Sequence, residues 1–214
     1  MNAINISGLK KSFDDQVVLK DLDVSIEEGK IVGIIGPSGS GKSTLLNIIG
    51  LIETYDEGVV SYWGDRSVKP FSRKSKAMLA NDLGYLFQNY ALIDNESVEY
   101  NLLIALSGQK MSRIEKDHAI NQALNQVGLS DFKEKKIFQC SGGEQQRIAL
   151  ARLMLKQTRL ILADEPTGSL DQGNKQIVLD HLKDLNEQGR TILIATHDPD
   201  VIDFCDEVIE LVKL

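Results

Sequence analysis

Residues 36–43 read GPSGSGKS, a G-x-x-x-x-G-K-[ST] pattern running from Gly36 through Gly41 and Lys42 to Ser43. Ile31-Val32-Gly33-Ile34-Ile35 precede it as a short apolar run, and Ser43 to Ile49 follow with the spacing of a helix start. Strand, glycine loop and helix in that order demand an α/β arrangement, with the helix N-terminus turned toward an anion. Glycines at 36, 39 and 41 remove Cβ atoms and let backbone N–H groups curl around phosphates. Lys42 adds a mobile positive charge, and the Ser43 hydroxyl suits Mg²⁺. Gly36, Pro37, Ser38, Gly39, Ser40, Gly41, Lys42, Ser43 and Thr44 are the expected nucleotide cradle.

The 214 residues suit one domain with an inserted subdomain. A net charge of −7 argues against a broad nucleic-acid-binding face, so no nucleic acid is expected as partner. The two cysteines, Cys140 and Cys205, lie far apart, which suggests reduced thiols in a cytosolic protein. No apolar run reaches membrane-spanning length, and the start lacks the stretch of a signal peptide.

Short strands are expected at Ile4–Ser7, Val17–Leu19 and Val24–Ile26, with a turn at Glu28-Gly29. Further strands are expected at 58–64, toward the end of 81–87, at 160–163, at 191–195 and at 208–212. Residues 96–156 have apolar positions at helical spacing, and 174–188 read as another helix. Apolar strands alternating with helices imply a mostly parallel sheet covered on both faces. The expected domain is single over 1–214, with a core of about 1–88 and 157–214 and a helical subdomain of about 89–156.

The strand Leu160–Ala163 runs into Asp164 and Glu165, acids at the ligand edge of such a sheet. Asp164 can hold Mg²⁺, directly or through water, together with Ser43. Glu165 can polarise the attacking water. His197 follows the strand 191–195 and either contacts the γ-phosphate, orients the water, or bonds locally to a turn. Gln88 ends its own strand and either reaches Mg²⁺ or the water with its amide, or is an ordinary loop glutamine. Ser141-Gly142-Gly143-Glu144 fits an S-x-x-E capping box opening a helix, and its double glycine lets N–H groups approach an anion. Two anion-binding helix ends with one nucleotide loop make sense if the second serves the nucleotide of another copy.

The segment CSGGEQQR resembles the signature motif of ATP-binding cassette (ABC) proteins. The order P-loop, Gln88, signature, LILADEP, Ser169-Leu170-Asp171, His197 is similar to that family over nearly the whole chain. The resemblance implies a P-loop NTPase fold, with a parallel core sheet, an N-terminal antiparallel β subdomain and an inserted α-helical subdomain. It implies an ATPase that uses ATP and Mg²⁺, serves a membrane permease subunit, and forms a head-to-tail homodimer in the ATP-bound state at the cytoplasmic face of the membrane. Ser141 and Gly143 would bind the partner copy's γ-phosphate, and Asp171 would lie at the subunit contact. Phe13 falls where the family stacks an aromatic ring on adenine, the alternative being core packing. Cys140 stands where leucine is usual, and an exposed thiol there would make the site oxidation-sensitive.

ADEPTGSLD with SGGEQQR looks like the branch that includes lipoprotein-release, macrolide-export, cell-division and antimicrobial-peptide export ATPases. FQNYALIDNESVEYNL resembles the ATPases of bacteriocin exporters, which implies export of a peptide, bacteriocin or antibiotic. The alternative is a cell-division or lipoprotein-release complex doing mechanical work across the membrane. Tyr90 to Ile93 either contact the permease or pack within the helical subdomain.

Overall fold

The computed structural model describes residues 1–168 and 170–214. Ser169 lies outside the described residues. The chain divides into two compact units, residues 1–85, 158–165 and 183–214 in one and 86–157 and 166–182 in the other.

The first unit holds most of the strands. β1 (Asn2–Phe13), β2 (Gln16–Glu27) and β4 (Glu57–Tyr62) form an antiparallel sheet in the order β2-β1-β4. The expected fragments at 4–7, 17–19 and 24–26 are parts of two continuous twelve-residue strands. Register shifts at four places along β1–β2 break the two-residue alternation, so the apolar pattern shows only in pieces. β3 (Ile31–Ile35), β5 (Leu83–Leu86), β6 (Leu160–Asp164), β7 (Thr191–Ala195) and β8 (Glu207–Glu210) form the second sheet, in the order β5-β6-β7-β3-β8. The pairings β6/β7, β7/β3 and β3/β8 are parallel. β7 is buried throughout, and β3 and β6 are buried in four of five residues, as unbroken apolar runs of a covered parallel sheet require.

Helix α1 (Lys42–Ile49) packs on β6 and β7, and the short α7 (Pro199–Phe204) packs on β3. One core joins both sheets to α1, through Ile4, Ile6, Leu9, Ile26, Ile34, Leu45, Ile48 and Leu162. The Tyr62 hydroxyl donates to Ile49 O at 2.8 Å and so ties β4 to the end of α1. Helix α2 (Arg73–Asn81), which the apolar pattern did not announce, buries only Ser75.

The second unit is helical. It contains α3 (Val98–Ala105), α4 (Arg113–Gln126), a 3₁₀ turn at Ile137–Gln139, and α5 (Gly142–Met154). It also takes the first part of α6 (Gln172–Glu187), whose end belongs to the first unit. α3, α4 and α5 pack on one another through Leu102, Leu106, Ile120, Leu124, Ile148 and Leu150, all buried. Asn101, fully buried, accepts the Ile93 N–H at 2.7 Å and donates to Ser97 O at 3.0 Å, pinning the preceding loop to α3.

Candidate active site

The site is built at the carboxyl ends of β3, β6 and β7, where a parallel sheet of this kind presents ligands to loops. β3 ends at Ile35, and the chain turns through Gly36 at φ 146, Gly39 at φ 79 and Gly41 at φ 94. These are backbone states that side chains rarely adopt. A Cβ on Gly36 would lie 2.3 Å from Leu211 O, so that glycine is required by packing as well as by conformation. Pro37, Ser38 and Gly39 are exposed at the tip of the loop, whereas Ser40 and Gly41 are buried beneath it. Ser40 N–H closes the turn onto Pro37 O at 3.1 Å. The Lys42 ammonium donates to Gly36 O at 2.8 Å and to Pro37 O at 3.3 Å, resting on the loop it is expected to serve.

Helix α1 begins without a side-chain cap. Helices α2, α3, α4, α5 and α7 each start on a serine or aspartate that accepts a first-turn N–H. α1 starts on Gly41 in the left-handed conformation, with no such bond. Its first-turn amides, from Lys42 through Thr44, are therefore left for an anion, and the helix dipole adds to the attraction.

The Ser43 hydroxyl donates to Asp164 Oδ1 at 3.0 Å, bringing the end of β6 against the start of α1. Burial pushes the Asp164 carboxyl up, and the Ser43 bond partly offsets that. Two oxygen groups meeting at this point are ligands of the kind a hard divalent cation takes, so this pair fits Mg²⁺. Glu165, the next residue, has φ 46. A non-glycine residue there costs roughly 1–2 kcal/mol. The turn is held by the Glu165 N–H, which donates to Ala195 O at 2.9 Å. It aims the carboxylate at the end of β7: Glu165 Oε1 lies 2.7 Å from His197 Nδ1, and Oε2 accepts from Thr196 Oγ1 at 3.4 Å. The Glu165 side chain is 14% exposed and the His197 side chain 74%. The histidine thus projects from the pair, while the glutamate is held by two partners.

Phe13 ends β1 and is 44% exposed, outside the core, so core packing does not account for it. Within the first unit the structure thus brings together Ser43 with Asp164 and Glu165 with His197.

The remaining expected site residues, Gln88, Ser141, Gly142, Gly143, Glu144 and Asp171, belong to the second unit. Gln88 is exposed two residues past β5. The capping box expected at α5 is present: Glu144 N–H donates to Ser141 Oγ at 3.3 Å, and Ser141 N–H donates to Glu144 Oε2 at 2.6 Å. That backbone bond is the chief cause holding the Glu144 carboxyl below its ordinary range, and Lys135 Nζ lies 3.5 Å away. The box uses two amides of the first turn and leaves the exposed Gly142 and half-buried Gly143 to face an anion.

Two residues of this region went unmarked by sequence reasoning. Asn174 donates its N–H to Asp171 Oδ1 at 2.9 Å and its amide to Asp171 Oδ2 at 2.6 Å, and it accepts from Arg147. These bonds, the backbone one first, hold the Asp171 carboxyl below its ordinary range. A Cβ on Gly143 would sit 3.2 Å from Asn174 Nδ2, so the second glycine of the pair lets α6 approach α5. The three-residue spacing Asp171-x-x-Asn174 is a helix-start signal that could have pointed to Asn174. Arg152, near the end of α5, donates to the carbonyls of Tyr90 and Ala91, both at positive φ.

Cys140 is buried, as a small hydrophobe in place of leucine would be; its Sγ faces Lys136 O at 3.6 Å and burial pushes its thiol up, so the condition for oxidation sensitivity, an exposed thiol, is not met.

Residues 19–168 match the family model described as ABC transporter. Over 214 residues the chain is 35% identical to the bacitracin export ATP-binding protein BceA of Halalkalibacterium halodurans, covering 98% of this chain and 85% of that one. It is 36% identical to the macrolide export ATP-binding/permease protein MacB of Aggregatibacter actinomycetemcomitans, covering 99% of this chain but 33% of MacB. Among solved structures it is similar to the dimeric, post-hydrolysis ATP-binding cassette MJ0796 bound to ADP and Pi, with a TM-score of 0.88 and 33% identity over 97% of this chain and 94% of that one. Matched by that family model over most of its length and by relatives over nearly all of it, the chain belongs to the ABC transporter family and is one of its ATP-hydrolysing cassettes.

Proposed function

We propose that this cassette powers export of a peptide or antibiotic through a separate membrane permease, by ATP-driven closure of a head-to-tail homodimer. The observation that carries the chemistry is the joint placement of Ser43–Asp164 and Glu165–His197 at adjacent strand ends beside an uncapped helix. The names of BceA and MacB favour export over cell-division or lipoprotein-release work. The fusion of ATP-binding and permease functions in MacB's name, with this chain spanning a third of that protein, favours a permease as partner. No helix among the described residues is long and apolar enough to cross a membrane. The export names of the relatives support a place at the cytoplasmic face, held by that permease.

In this reading residues 1–88 and 157–214 are the nucleotide-binding core and 89–156 the helical subdomain. Residues 36–44 hold the phosphates, with Lys42 leaving the loop carbonyls for the nucleotide. Ser43 and Asp164 would hold Mg²⁺. When bound, the ion offsets phosphate charge as the γ-phosphoryl group transfers. Glu165 accepts a hydrogen bond from the attacking water and polarises it, and His197 fixes the carboxylate's orientation. Ser141, Gly142 and Gly143 of a second copy offer donors to the same phosphate, Glu144 holds that helix start in shape, and Asp171 sits at the contact. Phe13 stacks on adenine. Tyr90 to Ile93, with Ile93 45% exposed, face the permease.

Glu165→Gln tests this assignment. It should lower steady-state phosphate release by about 10²- to 10⁴-fold while ATP still binds. Hydrolysis within a few-fold of the parent would remove Glu165 from the chemistry.

A further inference from the structure

Lys11 is a lysine with almost no contact with water. It is 6% exposed, on β1, two residues before Phe13. Burying an ammonium is costly unless it is paired. Its partner is Glu53 Oε1 at 2.9 Å, with Thr54 Oγ1 at 3.5 Å. Glu53 follows α1, and its Oε1 also accepts the Thr54 N–H at 2.8 Å. The bond from Lys11 is the chief cause holding the Glu53 carboxyl below its ordinary range. The same ammonium stands 4.4 Å from the centroid of the Phe13 ring.

The ring therefore carries a cation on one of its faces, and that cation is anchored to the segment following the phosphate-binding helix. Phe13 remains 44% exposed, so part of the ring is open to a ligand. A cation over one face draws electron density from an aromatic ring through its quadrupole. The opposite face then stacks more strongly on an electron-rich purine than an isolated phenylalanine would. An ion pair serving only packing would be satisfied by Glu53 and would need no aromatic ring over the ammonium.

We propose that Lys11 is a positioning residue for base recognition. Held by Glu53, it orients and polarises Phe13 so that the cassette prefers purine over pyrimidine nucleotides. This rests on the reading of Phe13 as the base-stacking residue.

The test measures binding of ATP, CTP and inorganic triphosphate, each with Mg²⁺, to the parent, to Phe13→Ala, to Lys11→Met and to Lys11→Arg. Triphosphate lacks a base and reports the phosphate cradle alone. Lys11→Met should weaken ATP about three- to tenfold and narrow the ATP-to-CTP ratio, while triphosphate affinity stays within twofold of the parent. Lys11→Arg should restore the ATP-to-CTP ratio, because a guanidinium also stacks on an aromatic face. Should Lys11→Met fold poorly, Lys11→Met/Glu53→Gln removes the carboxylate that has lost its cation and should give the same narrowed ratio. Equal losses for all three ligands would make Lys11 a structural residue and overturn the proposal. An unchanged ATP-to-CTP ratio in Lys11→Met, with a narrowed one in Phe13→Ala, overturns the proposal and leaves the Phe13 reading standing. An unchanged ratio in Phe13→Ala overturns the Phe13 reading itself.

Discussion

A single residue can carry two demands at once. Glu165 is the position where the backbone takes a left-handed turn and also where a carboxylate must meet His197. The first demand favours glycine, and the second excludes it. The acidic pair at the end of an apolar strand was readable only beside the glycine loop at 36–43, since alone it reads equally well as a solvated turn before Pro166. The partnership of Glu165 with His197, 32 residues away, was not readable, since it depends on β7 lying beside β6. The same limit applies to Cys140, whose burial comes from a turn that spacing does not reveal. The cysteines give a direct prediction. Burial pushes the Cys205 thiol up to about 11 and Cys140 upward as well, so both should alkylate slowly with iodoacetamide at pH 8 in the folded protein and quickly in urea. Mass spectrometry of the labelled peptides checks this, and rapid labelling of either native thiol would contradict it. For Cys205 the folded state keeps its proton to a higher pH than the unfolded chain. Its contribution to stability is therefore complete below about pH 8.5 and is lost as pH rises toward about 11. Urea midpoints of a Cys205→Ala variant should fall less over that range than those of the parent.

Elements differ in how plainly they announce themselves. β6 and β7 are short and apolar but for Asp164 at the end of one and Thr191 at the start of the other, and their expected bounds differ from the structure by at most one residue. α2 and α7 were missed for different reasons. α2 carries its apolar residues in one run, Ala77 to Ala80, rather than at helical spacing, and α7 spans six residues opened by Asp198 and Pro199, too short for periodicity to register. The two serine boxes, at the starts of α4 and α5, permit an experiment that separates folding from function. Ser112 and Ser141 make the same reciprocal bonds with Glu115 and Glu144. Replacing either by alanine should cost about 1 kcal/mol of stability in urea unfolding. Only Ser141→Ala should also lower ATP hydrolysis, by tenfold or more, because only that helix end is assigned to a nucleotide. Equal activities for the two variants would leave Ser141 as a helix cap and nothing else.

At the scale of the whole molecule, the chain carries two helix starts suited to phosphate. α1 has no cap of its own, and α5 is capped but carries glycines at its first two positions. One nucleotide loop and two such ends are reconciled if each nucleotide is shared between copies, in line with the dimeric state of MJ0796. The helix ends were legible as local motifs, whereas the pairing of copies was legible only through the resemblance of the ordered motifs to a family. Glu165→Gln is the variant that tests this pairing, since it should bind ATP without consuming it. Light scattering of Glu165→Gln with and without Mg-ATP is the decisive measurement. The account predicts a monomer without nucleotide and a dimer of twice that mass with it, lost again when Ser141→Ala is added. A Glu165→Gln protein that binds ATP yet keeps the monomer mass would contradict closure of two copies around the nucleotide.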